Sequence, residues 1–570
     1  MEQTLKISKN SKEIKNYYEE IKKLYEMGQK HEGAVAPKFA NLLDHFGKQV
    51  GWRFSEQYKL KNLSSIQRPD GAFTNEYAML EGIWEAKDDS DALTKEVKAK
   101  FDVGYPRFNI MFWQPKRIIV YQNNKCVFDE EIENNPDSLV QALKVFFEYE
   151  RPHIQEWRQA VEKFKEEVPR LSAGLLDKIS EAKKTNKEFI EEFKNFKQIC
   201  QESINPNISN VAIDEMLIQH MLTRTIIGKI FNVPGFFQKN VIAKQLEKLR
   251  ESLSSHAFSE AEFLGKLDYV YKAIIDAASD ITDFSEKQSF LNTVYEKFFQ
   301  GWAIKTADKL GIVYTPQPVV DFMVKSVQGI LQNEFGKSLS CENVHIIDPF
   351  VGTGNFIMRV MQEIYAEGKN KKESIEKLRN KYVGGKEGTE LHCNEIQLMP
   401  YYIASLNIEH EYYEKAGEYV PFEGICFADT FESFEHMKRS DDMDLYADHN
   451  YYLSAENTDR FKKQIKTPIF VVICNPPYNT QQANENDNNK NRKYSKLDEE
   501  ISNTYAKDSR ATLKNKLSDP YVKAIKWASK RIGDEGVVAM ITNNSFIDNY
   551  AFDGMRKHLE QDFDKIYVLD

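Results

Sequence analysis

An apolar run that ends at an acidic residue and a glycine-rich turn constrains the fold of this chain more than any other feature. The run Val344-His-Ile-Ile ends at Asp348, a turn with Gly352 and Gly354 follows, and a helical pattern then continues through Met361. Glycines let the backbone approach a ligand closely, and the amides of the turn and of the helix N-terminus then face the polar end of that ligand. Alone, such a turn is weak evidence for a nucleotide-like ligand. The sequence contains no Gly-x-x-x-x-Gly-Lys-Ser/Thr phosphate-binding loop.

Strand and helix patterns alternate from about Lys305 onward. Further apolar runs stand at Ile469–Ile473 and Gly536–Ile541, and helical patterns separate them. Such alternation predicts a Rossmann-like domain over residues 303–570, with a mostly parallel sheet and helices on both faces.

A second motif, Asn475-Pro-Pro-Tyr478, follows the apolar run at Ile469–Ile473. Two prolines directly after a strand are unfavourable for further sheet pairing. The residue types suit chemistry on an exocyclic amine, whose lone pair is delocalised into the ring. The Asn475 side-chain oxygen and the Pro476 carbonyl can accept the two N–H hydrogens, and Tyr478 offers a face on which an extruded base can stack. An ordinary turn after a strand is the alternative.

The order and content of the two motifs resemble the γ-class of amino-methyltransferases, in which Asp-Pro-Phe-x-Gly-x-Gly precedes Asn-Pro-Pro-Tyr. The resemblance implies S-adenosylmethionine as cofactor, adenine N6 in double-stranded DNA as methyl acceptor, and a flipped target base. It assigns catalysis to Asn475, Pro476, Pro477 and Tyr478. The positions that it assigns to the cofactor are Tyr314, Thr315, Pro316, Asp348, Pro349, Phe350, Gly352, Gly354, Glu395 and Asp429.

Several of these positions have individual expected roles. The segment around Thr315 resembles the cap over the methionine end of the cofactor, Glu395 the acid that binds the ribose hydroxyls, and Asp429 the contact to the adenine amine. Phe546 resembles the aromatic residue that packs, with Tyr478, against the flipped base. Glu395 follows Asp348 by 47 positions, against about 20 in a minimal nucleotide-binding unit. We expect an extra charged helix over Ala366–Tyr382 to account for the difference.

Other methyl acceptors remain open. Asn-Pro-Pro-Tyr also occurs in methyltransferases that act on glutamine side chains or RNA guanine amines. Cytosine-C5 enzymes need a nucleophilic cysteine in a different motif, and Cys474 precedes the asparagine. N4-cytosine enzymes usually carry serine in place of Asn475. Adenine N6 is therefore the preferred acceptor, and a protein or RNA methyltransferase is the alternative.

Residues 1–151 alternate short strand-like runs with turns, among them a turn predicted at Asn123-Asn124, and this pattern predicts a small α/β or α+β domain. Within it, Asp70 precedes Glu85 by 15 positions and Lys87 follows, a pattern that resembles the PD-(D/E)xK nuclease core. The resemblance implies that Asp70 and Glu85 hold Mg²⁺, that Lys87 orients the attacking water, and that Glu32 is a further acid. Residues i and i+2 of a strand share one face, as this chemistry requires. Pro-Asp and Glu-x-Lys are common pairs, so the motif alone is weak.

Residues 152–302 are Lys/Glu-rich with apolar residues three or four apart, which predicts a helical connector. Helices are expected at Trp157–Val168, Leu175–Phe196 and Phe236–Leu253. The layout resembles Type IIG single-chain restriction–modification enzymes, and the stretch from Asp283 to Phe356 resembles the Type ISP coupler and methyltransferase start. Type ISP enzymes carry an ATP-driven translocase after the nuclease, for which no motif is found, so a motor-free, Type IIG-like arrangement is preferred. A methyltransferase with an inactive or DNA-binding N-terminal domain is the alternative.

Composition sets the remaining limits. The net charge of −10 mildly disfavours DNA, which needs a local basic surface rather than a basic chain. No apolar run approaches the roughly 20 residues that span a bilayer, and six cysteines without a Cys-x-x-Cys pair fit a reducing cytoplasm. The polar loop Asn484–Ser495 is equally consistent with a DNA contact and with a solvated loop. The strand-like end Ile566–Asp570 suggests that the chain continues, and we expect target specificity to come from a further C-terminal region or a partner subunit.

Overall fold

A computed structural model describes residues 5–56, 58, 60–61, 66–75, 80–150, 154–230, 235–254, 259–279, 315–385, 388–435, 455–477 and 493–569. The chain forms two compact units. The N-terminal unit comprises Met1–Phe164 and Leu267–Phe298, and the C-terminal unit comprises Lys165–Lys266 and Phe299–Asp570. No helix among the described residues is long and apolar enough to cross a membrane.

The N-terminal unit is built on a mixed sheet. Its elements before residue 150 are α1 (Lys12–Glu26), α2 (Glu32–Gln49), β1 (Arg53–Glu56), β2 (Leu60–Lys61), β3 (Ile66–Gln67), β4 (Gly71–Thr74), β5 (Leu80–Ala86), α3 (Leu93–Asp102), β6 (Asn109–Gln114), β7 (Arg117–Gln122), β8 (Lys125–Glu131) and α4 (Pro136–Phe147). The six-stranded sheet has the order β1-β4-β5-β6-β7-β8, with β5 and β6 parallel and the other pairs antiparallel. β2 and β3 form a separate pair. The predicted mixture of strands and helices is confirmed.

The central strand β5 is buried along its whole length, because helices cover both faces of the sheet. α1, α2 and α4 pack a core around Phe39, Phe46 and Phe146 on one face, and α3 packs Leu93 and Val97 on the other. The predicted turn at Asn123-Asn124 is confirmed: both residues have positive φ, 48° and 67°, as a tight hairpin between β7 and β8 requires.

The connector is helical, as predicted. Its helices are α5 (Ile154–Thr185), α6 (Lys187–Ser203), α7 (Asn210–Ile230), α8 (Phe236–Lys239), α9 (Val241–Ser254), α10 (Glu260–Leu264) and α11 (Asp268–Ser279). α5 continues from one unit into the other, and α11 belongs to the N-terminal unit.

Several helix boundaries in the connector were predicted wrongly. The break expected between Val168 and Leu175 is absent, because α5 runs through both residues. The helix expected over Leu175–Phe196 breaks at Asn186, whose side chain accepts the Phe189 amide at 3.1 Å and begins α6. The helix expected over Phe236–Leu253 breaks at Asn240, whose side chain accepts the Ala243 amide at 3.1 Å. In both cases a short polar side chain caps a new helix, and periodicity alone does not reveal this.

The rest of the C-terminal unit is a layered α/β domain. Its elements are α12 (Gln317–Phe335), β9 (Ile346–Asp348), α13 (Asn355–Ala366), α14 (Lys371–Tyr382), β10 (Leu391–Glu395), α15 (Leu398–Ala416), β11 (Ile425–Phe427), α16 (Thr430–Glu435), α17 (Ala455–Lys466), β12 (Val471–Cys474), α18 (Ser495–Ile501), α19 (Pro520–Arg531), β13 (Val537–Met540), α20 (Ser545–Asp548) and α21 (Asp553–Asp562). The sheet order is β11-β10-β9-β12-β13, and all its strand pairs are parallel. The predicted parallel sheet is confirmed.

The extra charged helix expected between the glycine-rich turn and Glu395 is present as α14 (Lys371–Tyr382). The strand expected at Ile566–Asp570 is wrong for its described residues: 566–569 form no strand, and their side chains are exposed. Tyr567 instead reaches back to Glu334 on α12, which also pairs with Lys565. An apolar run forms a strand only where a neighbour pairs with it, and the described residues supply none here.

Candidate active sites

The carboxyl ends of β9, β10 and β12 meet at one edge of the parallel sheet. They place Asp348, Glu395 and Asn475 at that edge, because Asn475 directly follows β12. The chain moves from β9 towards β11 on one side and through β12 to β13 on the other, so the sheet has its topological switch point between β9 and β12. Open α/β sheets bind their ligands in the crevice at such a point.

Asp348 is fully buried at this edge. Its Oδ1 accepts the Phe350 amide at 3.1 Å, whereas its Oδ2 has no hydrogen-bond partner among the described residues. Burial raises the pKa of Asp348 to about 8, and the charge of Glu395 adds to that rise. A buried carboxyl oxygen without a partner is costly, so this position suits a ligand that brings a polar hydrogen-bonding group.

The two glycines of the turn have different structural roles. Gly352 and Gly354 have φ of 54° and 95°, which side chains rarely tolerate. A Cβ on Gly352 would meet open space, whereas one on Gly354 would press on Ile408 and Ala404 of α15, at 3.3 and 3.4 Å. Gly352 therefore leaves room for a ligand, and Gly354 lets the turn pack on a helix.

Glu395 ties β10 to that turn. Its Oε2 accepts the Gly352 amide at 3.0 Å, and its Oε1 accepts the amides of Ile396 and Gln397 at 3.0 and 2.9 Å. A carboxylate has about four acceptor positions, so these three donors leave room for a hydroxyl. Burial raises the pKa of Glu395 to about 7, against the opposing effect of the three N–H groups.

Asp429 lies after β11 and has partners that the sequence did not indicate. Its Oδ1 accepts the Phe431 amide at 2.9 Å, and its Oδ2 accepts the hydroxyl of Tyr494 at 2.6 Å. Tyr494 is buried, with its ring edge-on to Phe431. The backbone amide of Asp429 donates to the carbonyl of Ser203 in the connector, at 2.9 Å. Tyr494 belongs to the loop Asn484–Ser495, for which the sequence predicted a DNA contact or exposure to solvent, and its burial contradicts both for this residue. Ser203 carries no motif.

The Asn475 motif is described as far as Pro477. Asn475 is half-buried and Pro476 is buried. The Asn475 Nδ2 donates to Oγ1 of Thr315 at 3.0 Å, which brings together two segments far apart in sequence. Tyr314 and Tyr478 lie outside the described residues, as does most of the loop Asn484–Ser495.

The remaining predicted positions lie around this edge. Pro316 caps α12, and the carbonyl of Pro349 accepts the hydroxyl of Thr430. Phe350 and Phe546 are both partly exposed and pack against one apolar cluster, which includes Tyr494.

In the N-terminal unit, Asp70 and Glu85 lie on neighbouring antiparallel strands. The register pairs Gly71 with Trp84, which sets the two acids side by side, and Asp70 Oδ2 accepts the Ala86 amide at 2.9 Å. Glu85 is buried with its Oε2 at 3.4 Å from Lys87 Nζ, and its Oε1 has no hydrogen-bond partner among the described residues. Glu85 and Lys87 thus lie close together, although β5 ends at Ala86 and Lys87 directly follows the strand instead of sharing its face.

Two further charged residues adjoin this cluster, as does the Tyr105 hydroxyl, which interacts with Glu85 and accepts from Lys100 at 3.2 Å. Lys100, on α3, lies 2.7 Å from Glu85 Oε2 and was missed from the sequence. Glu32 begins α2, and the charges of Lys87, Asp70 and Glu85 all act on it. Burial is the largest influence on the pKa of Glu32, which is raised. Among the described residues no group of three or more His, Cys, Asp or Glu side chains has the geometry to hold a metal ion.

Comparison with known proteins assigns two regions of the chain to protein families. Residues 160–286 match the model of the Type ISP restriction-modification enzyme coupler domain, and residues 286–514 match the N-6 DNA Methylase family. The chain therefore carries a Type ISP coupler followed by an N6 DNA methylase domain. No curated protein matches the chain.

Several solved structures are similar to the chain, and three of them are described below. A DrdV–DNA complex determined by cryo-EM is 35% identical, with a TM-score of 0.63 over 97% of this chain and 52% of that one. The ATP-dependent Type ISP enzyme LlaBIII bound to DNA is 36% identical, with a TM-score of 0.61 over 75% of this chain and 27% of that one. A nuclease-deletion mutant of the Type ISP enzyme LlaGI, with a DNA substrate mimic, is 36% identical, with a TM-score of 0.60 over 74% of this chain and 32% of that one. The chain thus spans about half the length of the first structure and about a third or less of the other two.

Proposed function

We propose that this chain is a restriction–modification polypeptide that methylates adenine N6 in double-stranded DNA and cleaves unmethylated DNA through its N-terminal unit. The single observation that carries the methylation half is the position of Asn475, directly after β12 and beside the glycine-rich turn of β9. The N6 DNA methylase match and the DNA-bound structures that resemble the chain support the choice of substrate.

The residues at the sheet edge suit S-adenosylmethionine. The buried Asp348 Oδ2 lacks a partner, Glu395 has room for a ribose hydroxyl, and Gly352 leaves open space above the turn. Asp429 is the third acid proposed at this edge, as the contact to the adenine amine of the cofactor. The cofactor, when bound, would supply the methyl group to the N6 lone pair and would leave as the neutral thioether, with the N6 proton released to water.

Asn475 and Pro476 act on the amine. With the base flipped out of the duplex, Asn475 Oδ1 and the Pro476 carbonyl accept the two N–H hydrogens and favour a pyramidal nitrogen whose lone pair is available. Phe546, partly exposed on its apolar cluster, provides a surface for the base. Tyr478 is the second stacking residue proposed from the motif.

Methyl transfer from tritiated S-adenosylmethionine to mixed-sequence duplex DNA tests this proposal. We expect label on N6-methyladenine with the wild-type protein and none with Asn475→Ala. Asn333→Ala, at an exposed position of α12, is the matched control and keeps full activity. Protein that binds the cofactor but leaves DNA unlabelled contradicts the proposal and directs the search to protein and RNA acceptors.

The cleavage half rests on the cluster in the N-terminal unit. Asp70 and Glu85 offer the hard carboxylate oxygens that Mg²⁺ prefers, and the unpartnered Glu85 Oε1 is a ligand position. Glu32 is the proposed further acid, although the three carboxylates do not form a metal-binding group in the described part of the chain. Lys87, 3.4 Å from Glu85, is placed to orient a water for attack on the phosphodiester. A Mg²⁺ ion held by these carboxylates would supply charge neutralisation at the phosphate and a lowered pKa for that water.

Cleavage of unmethylated DNA in the presence of Mg²⁺ tests the second half. We expect Glu85→Gln and Lys87→Ala to lose cleavage and to retain methyl transfer, and Lys125→Ala, exposed on β8, to retain both. Cleavage that survives both substitutions, or its absence from a wild-type protein that methylates DNA, favours the alternative of an inactive or DNA-binding N-terminal domain.

A further inference from the structure

Thr315 and Asn475 are joined by a hydrogen bond at the methyltransferase edge. Asn475 Nδ2 donates to Thr315 Oγ1 at 3.0 Å, across 160 positions of sequence. Thr315 is buried, with 8% of its surface exposed, and directly precedes the cap of α12. Neither motif, considered alone, predicts this contact.

The contact matters because a carboxamide has two different ends. Its nitrogen only donates hydrogen bonds and its oxygen only accepts them. An amine that is to be activated presents N–H groups, which need the oxygen. If the Asn475 amide were rotated by half a turn, its NH₂ would face the amine N–H groups, donor against donor. In the observed orientation Nδ2 donates to Thr315, so the oxygen is the end that the amide presents to the amine.

We propose that Thr315 is a positioning residue: its hydroxyl oxygen holds the Asn475 amide in the orientation that presents Oδ1 to the amine of the methyl acceptor. The inference rests on the proposed methyltransferase function and adds a role for a residue of the α12 segment. Thr315 acts through Asn475 and need not touch the acceptor itself.

The segment that carries Thr315 is well anchored. The Pro316 carbonyl accepts the amides of Val319 and Val320, which begin the helix, at 3.0 and 3.2 Å. One turn later, Asp321 pairs with Arg359 of α13 at 2.7 Å. Because α13 starts at the glycine-rich turn, this ion pair links α12 to the sheet edge that we propose binds the cofactor. Thr315 is thereby held in a fixed place relative to β9 and its neighbour β12.

The resemblance to amino-methyltransferases predicts a different role for Thr315, as part of the cap over the methionine end of the cofactor. The two roles predict different changes in cofactor affinity and in catalytic rate. Loss of a cofactor contact raises the Kd for S-adenosylmethionine, whereas loss of an orienting contact lowers kcat and leaves that Kd unchanged. A substitution that removes only the hydroxyl can therefore distinguish them.

The decisive variants are Thr315→Val, which keeps the shape and removes the acceptor, and Thr315→Ser, which keeps it. We expect T315V to lower kcat for DNA methylation roughly tenfold, as loss of one orienting hydrogen bond implies, with an unchanged Kd for S-adenosylmethionine measured by calorimetry. T315S should stay near wild type. Thr315→Ala is measured in parallel, since it avoids placing a branched apolar group in the site. Thr389→Val, which removes a buried hydroxyl that bonds to Lys381 and Leu391, is the control.

A double-substitution cycle distinguishes an orienting role of Thr315 from a general structural role, because it compares the loss of kcat caused by T315V in two backgrounds. Asn475→Ser has no amide to orient, so adding T315V to it should cause no further loss. The same loss in both backgrounds, a T315V variant with wild-type kcat, or a weakened Kd for the cofactor would each overturn the inference. A wild-type protein that methylates no DNA would contradict the proposed function itself, and the inference with it.

Discussion

The carbonyl oxygen of Ser203, the last residue of α6, accepts a hydrogen bond from the backbone amide of Asp429 at 2.9 Å. The coupler thus contacts the backbone of a proposed cofactor residue. A second contact lies nearby in the fold: His220 of α7, fully buried, bonds through Nδ1 to the Tyr402 hydroxyl of α15 at 3.0 Å and through Nε2 to Glu247 at 2.8 Å. α15 begins three residues after Glu395. The coupler therefore contacts segments next to two proposed cofactor residues, Asp429 and Glu395.

Tyr402→Phe should therefore destabilise the C-terminal unit. It leaves His220 Nδ1 buried without its partner, a loss of about 1–3 kcal/mol in the free energy of unfolding. Burial lowers the pKa of His220, so protonation of the ring does not compensate for the lost hydrogen bond. Tyr413→Phe, on the exposed side of the same helix, is the control and should melt like the wild type. Equal melting temperatures for the two variants would show that the buried bond contributes nothing.

The affinity for S-adenosylmethionine should rise as the pH is raised. Burial raises the pKa of Glu395 to about 7, so below that pH the carboxyl is mostly protonated and has fewer acceptor positions for a ribose hydroxyl. The Kd measured by calorimetry should fall between about pH 6 and about pH 8 as the carboxylate forms. Glu395→Gln should bind more weakly and lose most of this dependence. Glu376→Gln, exposed on α14, should retain it; a pH dependence that persists unchanged in Glu395→Gln would assign the titration to another group, with Asp348 the first candidate.

Two glycines with similar backbone angles allow a matched test of the cofactor site. Gly352 and Gly336 have φ of 54° and 62°, and a Cβ on either would meet open space within the described structure. Alanine at either position costs about 1 kcal/mol through the left-handed backbone. Only Gly352→Ala should also weaken cofactor binding, by at least roughly tenfold, since its methyl group enters space that we assign to the ligand. Equal cofactor affinity in the two variants would remove Gly352 from the binding site.

Features with local causes could be predicted from the sequence. The parallel sheet follows from apolar runs separated by helical patterns, and the acid at the end of β9 follows from its motif. Asn123 and Asn124 form the expected tight turn because asparagine tolerates positive φ. The glycine-rich turn was predicted for the same reason.

Features that depend on the meeting of distant segments could not be predicted. The bond from Asn475 to Thr315 and that from Tyr494 to Asp429 span 160 and 65 positions, and Ser203 contributes only a backbone carbonyl, which every residue has. Periodicity also missed the helix breaks at Asn186 and Asn240, since a capping side chain does not disturb the apolar pattern.

Lys100 provides a test in the N-terminal unit. It lies 2.7 Å from Glu85, a carboxylate with 1% of its side chain exposed. Burial raises the pKa of Glu85 and Lys100 opposes that rise, so Lys100→Met should raise it further. A carboxyl whose folded pKa lies above its unfolded value loses stabilisation as the pH rises through the folded pKa. The loss of melting temperature in Lys100→Met should therefore be larger at about pH 8 than at about pH 5, measured by thermal unfolding. Lys98→Met, exposed on the same helix, should show no such difference. If Lys100→Met lost the same melting temperature at both pH values, the pair with Glu85 would not be what Lys100 contributes.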